Sequence, residues 1–158
     1  MTSRVLHYLK RLVGWIPVGL RLLLGFLLII SGWTWLQRPD AAGYLTNTLT
    51  DVLGRGHTIS FYVPFLKSVV LPNAAVFAVL VSWGEFLSGV SLFLGIGSRV
   101  GAAVAAFLFV NYGLMGGSFS LAMHGVLIAL LAVTVYWKAG RTLGLDRRLH
   151  EKWPRVKI

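Results

Sequence analysis

The chain has 158 residues, room for one domain, of which 56% are hydrophobic and 13% charged, with a mean hydropathy of +0.75. A soluble domain carries about a quarter of its residues charged, so these proportions exclude an ordinary water-facing fold and point to lipid. The absence of cysteine excludes a disulfide, a thiolate nucleophile and a Cys-held metal or Fe–S cluster within the chain, and the net charge of +10 does not indicate nucleic acid, because the basic residues gather at the chain ends without interleaved aromatics.

In chain order, residues 4–16 form an amphipathic pattern: Val5, Leu9, Leu12 and Ile16 share a face that excludes Arg4, His7 and Arg11. This predicts a helix lying in the membrane interface, with Pro17 breaking the chain before the first span at about 18–36. A cleavable signal peptide is the alternative for this region. The exit "SGWTWLQRPD" has no small-x-small site, and Trp33 and Trp35 suit an interfacial aromatic belt, so a retained helix is the better reading. Residues 37–72 form the one long loop. Within it Asp40 can cap a short helix carrying Leu45, Leu49 and Val52 that ends at Gly54–Gly56. "ISFYVPFLKSVVLP" follows, interrupted by Pro64 and Pro72, and is expected to dip into the interface as a lid over the bundle.

The second span covers about 73–97, the third about 100–116 and the fourth about 119–137. Only "GGSF" separates the last two, which forces a tight antiparallel hairpin. The basic tail, 138–158, carries Leu145, Leu149 and Trp153 as a stripe suited to an anionic leaflet. No strand pattern and no internal repeat competes. The expected architecture is all-α: one domain over 1–158, an integral membrane four-helix bundle with flanking interfacial amphipathic helices. Four spans put both termini on one side, and that side would hold twelve of the fifteen Lys and Arg. Cytoplasmic loops retain basic residues, which places both termini in the cytoplasm of a prokaryotic cell, with the cytoplasmic membrane as the location.

Glu85 lies near the middle of the second span, where an ionised acid costs at least ~2.5–3.5 kcal/mol. It must therefore face the bundle and be paired or protonated. Ser82, Ser88 and Gly89 share its face, small residues that let another helix approach. Two readings stay open: a proton-handling or quinone-binding carboxyl, or a hydrogen bond or ion pair that fixes packing. Arg21, entering the first span, is the natural partner if it turns inward rather than snorkelling to the interface. Asn111 and His124 flank the hairpin at similar depth. His124 can ligate haem or chlorophyll or hydrogen-bond a quinone carbonyl, or it can bond Asn111 or Ser120 as packing glue. His7, His57 and His150 lie outside the spans, which excludes bis-His haem. No Ser–His–Asp arrangement, P-loop or dinucleotide fingerprint is present.

"RLLLGFLLIISG" (Arg21–Gly32), "GEFLSGVSLFLGIGSRVGA" (Gly84–Ala102) and "AGRTLGLDRRL" (Ala139–Leu149) together resemble the DoxX/DoxD-like integral membrane proteins over roughly residues 18–149. The resemblance implies a four-helix membrane bundle. For DoxD-type relatives it implies the membrane subunit of a thiosulfate:quinone oxidoreductase, and for other DoxX relatives an association with oxidant-defence complexes. The residues that carry it include Arg21, Gly25, Gly32, Glu85, Gly89, Gly95, Arg99, Gly140, Arg141, Leu145 and Asp146. This chain has "SGWTWLQRP" where relatives often end the first helix on a lysine.

Two functions are thus expected. The first is a quinone-linked membrane subunit, catalytic only with other redox subunits, with Glu85 and Arg21 near the quinone or proton path. The second is a non-catalytic accessory subunit of a larger respiratory or photosynthetic complex that contacts pigment or lipid. A transporter or channel finds little support without an inverted repeat.

Overall fold

Thr2–Leu36 forms a single 35-residue helix, α1, in a computed structural model that describes residues 2–137, with side chains from Trp15 onward. Of the expected stripe over residues 4–16, only Ile16 has a described side chain, and the basic tail, 138–158, lies outside the described residues. Pro17 does not break the chain: α1 runs straight through it. Proline removes one N–H and one bond to the carbonyl four residues earlier. Ending the helix there would bare a whole turn of backbone to lipid, which costs more.

Asp40 caps α2 (Ala41–Gly54), its Oδ1 accepting from the Gly43 N–H at 2.8 Å. Leu45 and Leu49 of α2 are buried, as the sequence pattern predicts. Replacing Asp40 with alanine is expected to lower stability by about 1 kcal/mol, read from unfolding in detergent by circular dichroism. Asp51→Ala, which breaks only the exposed Asp51–Arg55 pair, is expected to change it by less than about 0.5 kcal/mol.

The lid is helical, not an irregular loop. A 3-10 turn (Ser60–Tyr62), the short α3 (Val63–Phe65), a π turn (Leu66–Val70) and a second 3-10 turn (Leu71–Asn73) lead directly into α4, Ala74–Leu94. Pro64 and Pro72 each stand at the start of a short helical piece, where their missing N–H removes no bond. Leu66 and Val70 pack with Leu45, Leu49, Ala74 and Ala78 into a core beneath α2.

After α4 the chain turns at Gly95, in the left-handed conformation, into α5 (Ser98–Tyr136). Gly117 interrupts α5 with φ 84° and ψ −171°. The chain reverses there. Ser120 Oγ donates to the Tyr112 carbonyl at 3.3 Å, and the His124 ring lies 5.8 Å from that of Phe109. In a straight helix residues eight apart would sit about 12 Å apart. The limbs 98–116 and 118–136 are therefore the third and fourth helices of the bundle, each about 28 Å long by rise and long enough for the hydrocarbon layer. A side chain at Gly117 would strike the His57 carbonyl. The same strap closes the hairpin, with Ile59 N–H donating to the Leu114 carbonyl (3.1 Å) and Thr58 Oγ1 to that of Met115 (2.9 Å). These bonds satisfy carbonyls that a helix end leaves open.

α1 and α4 cross in close contact. An added Cβ on Gly25 would come within 2.7 Å of the Phe93 nitrogen, and one on Gly89 within 2.6 Å of the Ile29 nitrogen. Around this crossing Leu24, Leu28 and Leu92 pack with Ala102, Ala105, Phe109 and Leu131 of α5. The outer surface is apolar, with Phe26, Leu27, Leu87, Phe107 and Phe119 exposed. Such a surface suits lipid, and the stretches Trp15–Leu36, Ser60–Leu94 and Ser98–Tyr136 have the length and composition to cross a membrane.

Candidate functional site

The α1–α4 register decides which groups meet Glu85. α1 and α4 run antiparallel with Gly25 against Phe93 and Gly32 against Phe86, so the crossing puts the neighbouring Ser31 side chain within reach of Glu85. Ser31 Oγ donates to Glu85 Oε2 at 2.7 Å. From the first limb of α5, Tyr112 donates its hydroxyl to Oε1 at 2.6 Å. Each carboxyl oxygen thus has one donor, and α1, α4 and α5 are tied through a side chain only 4% exposed. Ser82, Ser88 and Gly89 are buried with it, the small-residue face that the sequence predicts.

The register sets the expected partner, Arg21, away from Glu85. Arg21 turns inward and is 1% exposed, so it does not snorkel. It lies ten residues before Ser31 along α1, about 15 Å by helical rise. Gly25, one turn on, already faces Phe93, so Arg21 stands near the α4–α5 turn and not at the carboxyl. Opposite charge suggested a pair that the register pulls apart.

Asn111 and His124 are likewise not joined to each other. Tyr62, on the lid, donates its hydroxyl to Asn111 Oδ1, and Asn111 Nδ2 donates to the Phe107 carbonyl at 2.6 Å. His124 turns to its own helix: Nδ1 is 2.8 Å from the Ser120 carbonyl and 3.2 Å from Ser120 Oγ. An Nδ1–H donated to that carbonyl leaves Nε2 as an acceptor. The ring rests edge-on to Tyr112, with centroids 5.9 Å apart, so His124 touches the residue that holds Glu85. Among the described residues no three His, Cys, Asp or Glu side chains gather as a metal site.

Beside the carboxyl lies a cavity of about 290 Å³ between α2, the lid, α4 and the first limb of α5. Leu49, Phe77 and Leu108 form its apolar wall, and Tyr62, Asn111 and Tyr112 bring polar atoms to it. Ligand sites commonly have this character, a mostly apolar wall with a few placed polar groups. Tyr112 belongs to both features, lining the cavity and bonding Glu85.

Sequence reading missed Ser31, Tyr62 and Tyr112. A hydroxyl within a span, at Ser31 and Tyr112, or in the lid, at Tyr62, is the signal they offered, and it says nothing of rotation about the helix axis.

No curated protein and no solved structure matches the chain. The sequence profile of DoxX matches residues 16–116, from the start of the first span to the end of the third helix. The matched stretch contains Arg21, Ser31, Glu85, Asn111 and Tyr112, whereas "AGRTLGLDRRL" lies beyond both it and the described residues. With that stretch covering well over half the sequence and the outer surface suited to lipid, the chain belongs to the DoxX family of integral membrane proteins.

Proposed function

We propose that this protein is the membrane subunit of a quinone-linked oxidoreductase, working with redox subunits outside the chain and with both termini in the cytoplasm of a prokaryotic cell. One observation carries the reading: Tyr112 both lines an apolar cavity and donates to a buried carboxyl. The residues fit a quinone. The cavity has room for a single ring, the second N–H of the Asn111 amide can meet a carbonyl oxygen, and the Tyr62 and Tyr112 hydroxyl oxygens can accept from a hydroxyl. When bound, the quinone supplies acceptance of two electrons, taken from a donor oxidised on a partner subunit, and of two protons, giving quinol.

The chain's own part is to hold and pass the protons. In the structure Tyr112 donates to Glu85 Oε1; when the carboxyl carries a proton there, the bond reverses and Tyr112 turns its own hydroxyl hydrogen to the cavity. As Tyr112 gives its hydroxyl proton to the cavity, it takes the carboxyl's proton in its place. Ser31, on Oε2, offers the route by which the carboxyl reloads.

The test is a quinone titration of the chain in lipid nanodiscs, following its intrinsic fluorescence. Saturable quenching above that of empty discs is expected. Tyr112→Phe, which removes one hydrogen-bonding hydroxyl, is expected to weaken it about five- to thirty-fold. Quenching that rises linearly and equally with and without protein would remove the proposal.

A further inference from the structure

A second recess lies on the outer surface between α4 and the first limb of α5, about 750 Å³ in volume. Trp83, Leu87, Ser88 and Gly101 are among the residues that line it. Leu80, Gly84 and Val104 line both this groove and the inner cavity. The two spaces therefore adjoin across these three residues. At Gly84 the wall is thin, with no side chain and Leu108 Cδ1 only 3.2 Å from where a Cβ would stand, and Leu80 on the lipid side is largely exposed.

The volumes divide the work. A cavity of about 290 Å³ stands at the lower edge of the range for ligand sites, roughly 300–1,000 Å³. It holds a ring and leaves no space for a long chain. Both spaces are mostly apolar; Tyr62, Asn111 and Tyr112 line the small inner one, and the larger outer one, with Ser88 and Ser91 in its wall, opens toward lipid. From these observations we infer that the site takes a quinone with a long isoprenoid tail, the ring in the inner cavity at Asn111 and Tyr112 and the tail in the α4–α5 groove, admitted sideways from the bilayer past Gly84. This inference rests on the quinone reading above and adds the substrate's form and its path.

A tail gains nothing hydrophobic by leaving lipid for an apolar groove, because the two solvents are alike. What the groove contributes is shape: a tail that fits there lets the ring stay seated. A bulky side chain in the outer groove, away from the inner cavity, should therefore act on the tail and spare the ring. Binding of a dimethoxy-methyl-benzoquinone, tail-less or carrying an isoprenoid tail, would be measured in nanodiscs by fluorescence quenching for wild type, Val100→Trp and Leu87→Trp, exposed positions that line the groove and not the inner cavity. Leu87→Trp, on α4, serves if Val100→Trp, on α5, does not fold. The expected result is that each plug weakens the tailed quinone about tenfold or more, a modest overpacking effect, and changes the tail-less ring less than about twofold. Equal weakening of both ligands, or of neither, by a folded plug variant would overturn the inference and leave the quinone reading standing. Binding of neither quinone by wild type would overturn both.

Discussion

Gly89→Leu is expected to abolish the folded bundle while leaving a chain that still enters the membrane. Even the first carbon of a side chain at Gly89 would sit 2.6 Å from the Ile29 nitrogen and 2.8 Å from the Gly25 carbonyl oxygen. Both are backbone atoms, so no rotamer change can relieve the contact and α1 and α4 must move apart. Moving them separates Ser31 from Glu85 and opens the core around Leu28 and Leu92. The cost should reach the upper end of overpacking, about 3 kcal/mol or more, a large share of the margin of a small domain. Hydropathy, which governs insertion, rises with the substitution. The expected readout is normal membrane fractionation with loss of the monodisperse peak in detergent. Gly19→Ala and Gly125→Ala are the controls: nothing lies within 4 Å of an added Cβ at either position, so both should be neutral or about 0.5–1 kcal/mol stabilising. Equal behaviour of Gly89→Leu and the controls would show that the α1–α4 crossing is not a close one.

That crossing also explains what the sequence could and could not reveal. Span number and order follow from apolar length, and the hairpin at Gly117 follows from two glycines between two apolar runs, so both are legible. Asp40 and the helix after it are legible too, because an N-cap and an i, i+4, i+8 stripe are local signals. Rotation and register of the spans are not local. A soluble helix marks its inner face by contrast with water. A helix surrounded by lipid is apolar on every side and carries no such mark. Glu85 could be assigned to the interior because an acid has nowhere else to go, but its partners could not be named. Arg21 was the obvious candidate by charge and proved about 15 Å off by helical rise, whereas Ser31 and Tyr112 became visible only once Gly32 had been laid against Phe86. Pro17, Pro64 and Pro72 misled in a related way. Each looks like a breaker, yet Pro64 and Pro72 stand where no bond is lost, and at Pro17 a helix in lipid tolerates one missing bond more readily than bare backbone.

Substitutions at Glu85 separate its role in packing from its role with protons, and they should do so strongly. Leucine removes both acceptors and leaves the Ser31 and Tyr112 hydroxyls buried without the partner they now have. At about 1–3 kcal/mol for each orphaned group, Glu85→Leu should lose roughly 2–5 kcal/mol and with it much of the folded population. Glutamine keeps the shape. Its carbonyl accepts from one hydroxyl, and its amide donates to the other once that hydroxyl rotates, so the cost should stay near 1 kcal/mol. What glutamine cannot do is take up and release a proton. A structural Glu85 predicts that Glu85→Gln supports electron transfer to quinone at close to the wild-type rate in membranes reconstituted with the redox partners. A proton-passing Glu85 predicts a fall of about a hundredfold or more, the usual contribution of a positioned acid–base group. Tyr112→Phe should fall with it, since it cuts the hydroxyl link between the carboxyl and the cavity, and Ser31→Ala should fall less if reloading has a second route. The diagnostic result is the divergence at one position: a Glu85→Gln chain that unfolds like wild type but turns over slowly places the carboxyl in the chemistry, and one that turns over normally reduces it to the peg that locks three helices together.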